Sequence, residues 1–158
     1  MAIDFYHASM NAYDAQHFEE AFEYLQEGIK ADVNDERCHF SLGVMYYNAQ
    51  GVARSFKQST YHYEIAATAG VLPAQVSVGF AYANAMGVAQ DFEKAIHFLT
   101  MAIAQDDVSA KITLAEIYAR DEGYGSRKEA SKLIKEVLAL GSVEEAMDVY
   151  HKYQLDKV

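Results

Sequence analysis

An all-α fold, built as a stacked array of antiparallel helix pairs, is predicted by three observations. The stretch Asn48 to Phe56, NAQGVARSF, returns at Asn84 to Phe92 as NAMGVAQDF. Gly43 to Gly79, Gly51 to Gly87 and Phe56 to Phe92 are all steps of 36 residues, and a fixed period of that size at constant phase marks a repeat array. Around these stretches apolar residues recur at three- and four-residue steps, and the breaks between them are short enough to make neighbouring helices pack antiparallel. The prediction is an α-solenoid of about four helix pairs in one domain. Its units lie at about 2–33, 36–70, 72–106 and 108–141, and a C-terminal capping helix follows at 142–154.

In the first unit, Ala8, Ser9 and Ala12 form a small face on one helix, and Phe18, Ala21, Leu25, Gly28 and Ile29 form the apolar face of the next, across a break at Asp14 to Gln16. Asn34 or Asp35 caps the third helix, whose inward side carries Cys38, Leu42, Gly43, Met45 and Tyr46. A glycine inside a helix costs about 1 kcal/mol against alanine. Gly43 therefore predicts a helix backbone passing close by. The loop Asn48 to Arg54 turns the chain, with Gly51 suited to positive φ and Val52 a plug between helices. The fourth helix, about Ser55 to Ala69, turns Phe56, Tyr63, Ala66 and Ala67 inward and ends at Gly70.

Pro73 fits a helix first turn, where a missing N–H is tolerated. Ala74, Val78, Gly79 and Tyr82 repeat the inward face, and Phe92, Ala95, Ile96, Leu99, Ala102 and Ile103 form the stripe of the partner helix. The fourth unit keeps Ala110, Leu114, Ala115 and Tyr118. Its loop, Asp121 to Ser126, replaces the Gly-Val pair with Gly123 and Tyr124, and its second helix begins one residue early. Ser126 with Glu129, and Ser142 with Glu145, have capping-box spacing. A last helix from about Val143 to Tyr153 covers the end of the array.

The chain has 158 residues, 51% of them hydrophobic and 23% charged, a composition that supports an ordered fold. Thirteen Lys and Arg against 23 Asp and Glu give a formal charge of −10. That balance disfavours nucleic acid, which calls for a basic stripe to displace phosphate counterions. No apolar run approaches the roughly 18 residues that a membrane-spanning helix requires. Met1 to Met10 lacks the basic and apolar regions of a signal peptide, so the cytoplasm is the expected location, with export by another route left open. The lone cysteine, Cys38, forms no internal disulfide.

The Leu-Gly seam, Met45 with Tyr46, the Gly-Val loop and the Phe-x-x-Ala start of the following helix resemble the Sel-one-like repeat family, a relative of the tetratricopeptide repeat. The resemblance runs from about Glu36 to Gly141, after a tetratricopeptide-like unit in which Ala12 stands where that family usually has tyrosine. It implies a right-handed superhelix of helix pairs that serves as an adaptor for proteins or peptides, with no catalytic residues. In such superhelices the first helix of each pair lines the concave side. Projected here, that geometry lines up Tyr6, Met10 and Tyr13, then Phe40, Val44 and Tyr47, then Val76 and Phe80, with Asn48 and Asn84 at the edge. These side chains are off the inward face, and an aromatic ridge of that kind marks an interaction site. The asparagines suit hydrogen bonding to an extended peptide backbone. Core packing or self-pairing of the ridge, and helix capping by the asparagines, remain as alternatives. At Ile112, Glu116 and Arg120 the ridge turns polar, which places a partner on the N-terminal two thirds.

Six histidines are scattered without the three- or four-residue spacing that sets two metal ligands on one helix face. Cys38 occupies the small position filled by Ala74 and Ala110 and reads as a packing residue. The Gly-Val pairs lack the Lys and Ser or Thr of a phosphate-binding loop. The expectation is a protein or peptide partner, no cofactor, no metal and no enzyme activity. A small acidic chaperone of an exported client and a self-associating structural module, paired as a homodimer, are the alternatives.

Overall fold

The computed structural model describes residues 3–141 and 144–158. The pairing of Ser142 with Glu145 and the start of the last helix at Val143 lie outside the described residues. Among the described residues the chain forms α1 (Phe5–Asp14), α2 (Phe18–Ala31), α3 (Glu36–Asn48), α4 (Phe56–Thr68), α5 (Leu72–Ala83), α6 (Phe92–Ile103), α7 (Val108–Arg120), α8 (Arg127–Ala139) and α9 (Glu144–Lys152), then a 3₁₀ turn, Leu155–Lys157. Several starts carry a side-chain cap. Asp35 accepts from the N–H groups of Arg37 and Cys38 at 3.0 and 3.1 Å, and Asp91 and Asp107 cap α6 and α7 in the same way. Ser126 and Glu129 exchange both bonds of the predicted capping box.

Consecutive helices pack in pairs, α1 on α2 through α7 on α8, and each pair stacks on the next. The starts of α3, α5 and α7 step by 36 residues, whereas α8 starts 35 after α6. The helix α9 packs on both α7 and α8, in the first-helix place of a further unit. The core runs as a ribbon between the helices, from Leu25, Leu42 and Met45, through Val78, Leu99 and Ile117, to Ile134, Val137 and Leu155.

The seam glycines do permit close packing, but the nearest approaching group is a side chain. A Cβ on Gly43 would stand 2.5 Å from Cδ1 of Tyr63, and one on Gly79 would stand 2.6 Å from Cγ of Leu99. In both hairpins the second helix plants a large residue on the glycine of the first; at Gly79 the expected backbone approach is present as well, with the Ala95 carbonyl oxygen 3.4 Å from where a Cβ would stand.

The loop glycines join one unit to the unit before it. Gly51 and Gly87 have φ of +67° and +73°, and a Cβ on either would fall 2.2 Å from the backbone of Phe18 or Phe56. Each Gly-Val loop therefore sits on the first residue of the preceding unit's second helix. In the fourth unit Tyr124 packs edge-on against Phe92, the equivalent of Phe56, at 5.5 Å. An aromatic contact there replaces the glycine contact of the earlier loops.

Candidate functional site

The first helices α5 and α7 lie side by side, with α9 beside α7, and Tyr47 of α3 opens onto the same hollow as Val76 and Phe80 of α5. Side chains one repeat apart meet across this face. Arg120 donates to the Asn84 side-chain oxygen at 3.4 Å, and Lys152 pairs with Glu116 at 3.2 Å, each across 36 residues of sequence. Two hollows open on the same face, and the ridge expected from sequence is divided between them.

The smaller hollow, about 240 Å³, is bordered by Tyr6, Met10 and Tyr13 of α1 and by Phe40 and Val44 of α3. Its aromatics are partly committed to packing. The Tyr13 hydroxyl accepts from Gln50 at 2.7 Å, and its ring meets Phe18 at 5.1 Å. The Arg37 guanidinium lies 4.8 Å from the Tyr6 ring. Phe40 leans on Tyr63 at 5.7 Å.

The larger hollow is a groove of about 520 Å³ that holds Tyr47, Val76 and Phe80. Tyr47 and Phe80 are each 42% exposed, which sets them apart from the half-buried members of the ridge. Phe56 and Tyr63 complete the apolar end; Phe56 meets Tyr47 edge-on at 5.4 Å. Sequence reasoning turned Phe56 and Tyr63 toward the core. Tyr63 is buried, and burial pushes its phenol up to about 12, so it stays a neutral donor. Ser59, Thr60 and Thr113 also border the groove, with hydroxyls already donating to the carbonyls of Gly43, Met86 and Ser109.

The opposite end is acidic, formed by Glu116 of α7 and by Glu145 and Asp148 of α9. Sequence reasoning placed Glu116 there and missed the other two. The missing signal is the period itself, continued one unit further: Ser109, Ile112 and Thr113 of the groove map by 36 residues onto Glu145, Asp148 and Val149, which also line it. Asn48 and Asn84 are exposed but do not line either hollow. The Asn84 amide donates to the Phe80 carbonyl at 3.0 Å and accepts from Arg120, so it braces the end of α5.

Away from the groove, His39 and His62 form a buried pair that spacing along the chain does not disclose. Their Nδ1 atoms are 2.9 Å apart, and His39 Nε2 donates to the Val33 carbonyl at 3.0 Å. Because a carbonyl only accepts, His39 carries its proton on Nε2, and His62 must be the donor between the rings. Burial, with His39 as the second cause, pushes His62 down to about 4. Cys38 is fully buried against Gly28, and burial pushes its thiol up to about 12, which keeps it protonated and inert. Among the described residues no three His, Cys, Asp or Glu side chains gather as a metal site.

The Sel1 repeat family model matches residues 37–71 and 72–107. A Sel1 repeat protein from Oxalobacter formigenes superposes with a TM-score of 0.66 at 20% identity, over 82% of this chain and 53% of its own. A protective antigen present in uropathogenic Escherichia coli strains, displaying an SLR fold, superposes with a TM-score of 0.67 at 20% identity, over 86% of this chain and 33% of its own. The chain thus spans about half and about a third of these two structures. A comparison with curated proteins found no match. Proteins built from Sel1 repeats generally mediate protein–protein interaction on a non-catalytic scaffold. Two tandem Sel1 repeats, at residues 37–71 and 72–107, thus lie within an all-α solenoid whose fold is similar to that of solved Sel1-like repeat structures.

Proposed function

We propose that the chain is a non-catalytic adaptor that holds a peptide or protein segment in the groove between α3 and α9. The observation that carries this reading is the exposure of Tyr47 and Phe80 on one groove of about 520 Å³. Burying a large side chain gains about 1.5–3 kcal/mol, so two aromatics left in water at one site are a ready source of binding free energy. The rest of the groove supplies little reactive chemistry, since its buried hydroxyls are already hydrogen-bonded and its one perturbed phenol is held neutral.

The test is affinity capture from a lysate with wild-type protein and with the Tyr47→Ala/Phe80→Ala double variant. The expected result is one or more proteins retained by wild type and lost from the variant, with the variant's melting temperature within a few degrees of wild type. Equal retention by both proteins would remove the groove as the binding site.

A further inference from the structure

The groove is chemically graded from end to end. Tyr47, Phe56 and Phe80 make one end aromatic, Ser77, Ser109 and Thr113 make the middle polar, and Glu116, Glu145 and Asp148 make the other end acidic. The charged residues lining it are all carboxylates. Glu116 is shared with Lys152, whereas Glu145 and Asp148 are exposed on the first turns of α9. Such a surface repels an acidic occupant, including a second copy of a chain that carries a formal charge of −10. It complements an occupant with an apolar end and a basic end.

We propose, building on the adaptor reading, that the groove accepts an extended segment of a partner protein with a large apolar residue at one end and Lys or Arg at the other. The apolar residue packs between Tyr47 and Phe80, and the cations lie against Glu145 and Asp148. Three helix-to-helix steps of about 8–10 Å separate α3 from α9. An extended chain at about 3.3 Å per residue covers that span in roughly seven to nine residues. The aromatic end supplies most of the affinity, and the carboxylates supply orientation, selectivity and a salt dependence.

The experiment is selection of a random nonapeptide phage library on the full chain, counter-selected on the Tyr47→Ala/Phe80→Ala variant. The expected outcome is enrichment of peptides that carry an aromatic or large aliphatic residue and, several positions away, two or more Lys or Arg. A labelled peptide of the enriched sequence then binds about five- to tenfold more weakly when its cations become Gln. The loss is similar when the protein carries Glu145→Gln/Asp148→Asn, and raising salt shrinks both differences. Enrichment that depends on Tyr47 and Phe80 but shows no basic bias overturns this inference and leaves the adaptor reading standing. No enrichment dependent on those aromatics overturns both. Dimerisation of the chain through Tyr47 and Phe80, seen by sedimentation, would name a second copy as the occupant and overturn the proposal.

Discussion

His39 and His62 show how one residue pair ties the first unit to the second. His39 sits on α3 and donates to the Val33 carbonyl in the loop after α2, and His62 of α4 donates to His39 from behind. The His62 ring also stacks on Tyr46 at 5.7 Å and meets Tyr61 edge-on, and among the described residues it forms no salt bridge with a carboxylate. In the unfolded chain an imidazole titrates near 6.5, while folded His62 is held down to about 4 by burial and by His39. Between those values the unfolded chain binds the proton that the folded chain refuses. The contribution is therefore complete above about pH 6.5 and drains as pH falls toward 4. We expect roughly 2–3 kcal/mol to be lost across that window, measured by urea unfolding at several pH values. The variant His62→Gln, which can still donate to His39 but does not titrate, flattens the profile.

Among the elements, the Gly-Val loops do the work of stacking. Each turns its own hairpin and at the same time rests a glycine on the backbone that starts the previous unit's second helix. Two separate demands meet at Gly51 and Gly87, a positive φ and the absence of a Cβ, so alanine fails both. Gly51→Ala and Gly87→Ala are each expected to cost about 2 kcal/mol or more by urea unfolding. A side chain at Gly123 faces far less, since the nearest group is the Asp121 carboxylate at 3.1 Å, and Gly123→Ala serves as the mild control. The 36-residue register, the caps at Asp35 and Ser126 and the Gly-Val turns were legible in the sequence, because caps and turns rest on contacts within a few residues and the register on their recurrence. What presses on the glycines was not, because Tyr63 on Gly43 and Phe18 on Gly51 meet only after folding.

For the whole molecule, the ribbon core makes stability a sum of neighbour contacts. The C-terminal end shows this best. Leu155 is fully buried, Ser131 donates to its carbonyl at 3.0 Å, and Arg127 donates to the Tyr153 carbonyl. Leu155→Ala is expected to cost about 2–5 kcal/mol locally. Hydrogen exchange should find lost protection in α7, α8 and α9, with α1 and α2 nearly unchanged. A uniform loss along the chain would show that the units unfold as one block. The groove belongs to this scale too, because its wall combines four first helices and one second helix from separate units. Its aromatic side was readable by projecting one helix face through the period. Its acidic side was missed because α9 was read as a cap, outside the period.

Local chemistry was enough to determine the all-α class, the repeat length and the small residues along the seams. Helical periodicity, caps and turn glycines act between residues close in the chain. Only tertiary structure decided that His39 meets His62, and that Tyr13 and Phe40 are taken up in packing while Tyr47 and Phe80 stay in water. Those outcomes depend on which surfaces of distant helices are brought together, and packing at that distance leaves no mark on residue spacing.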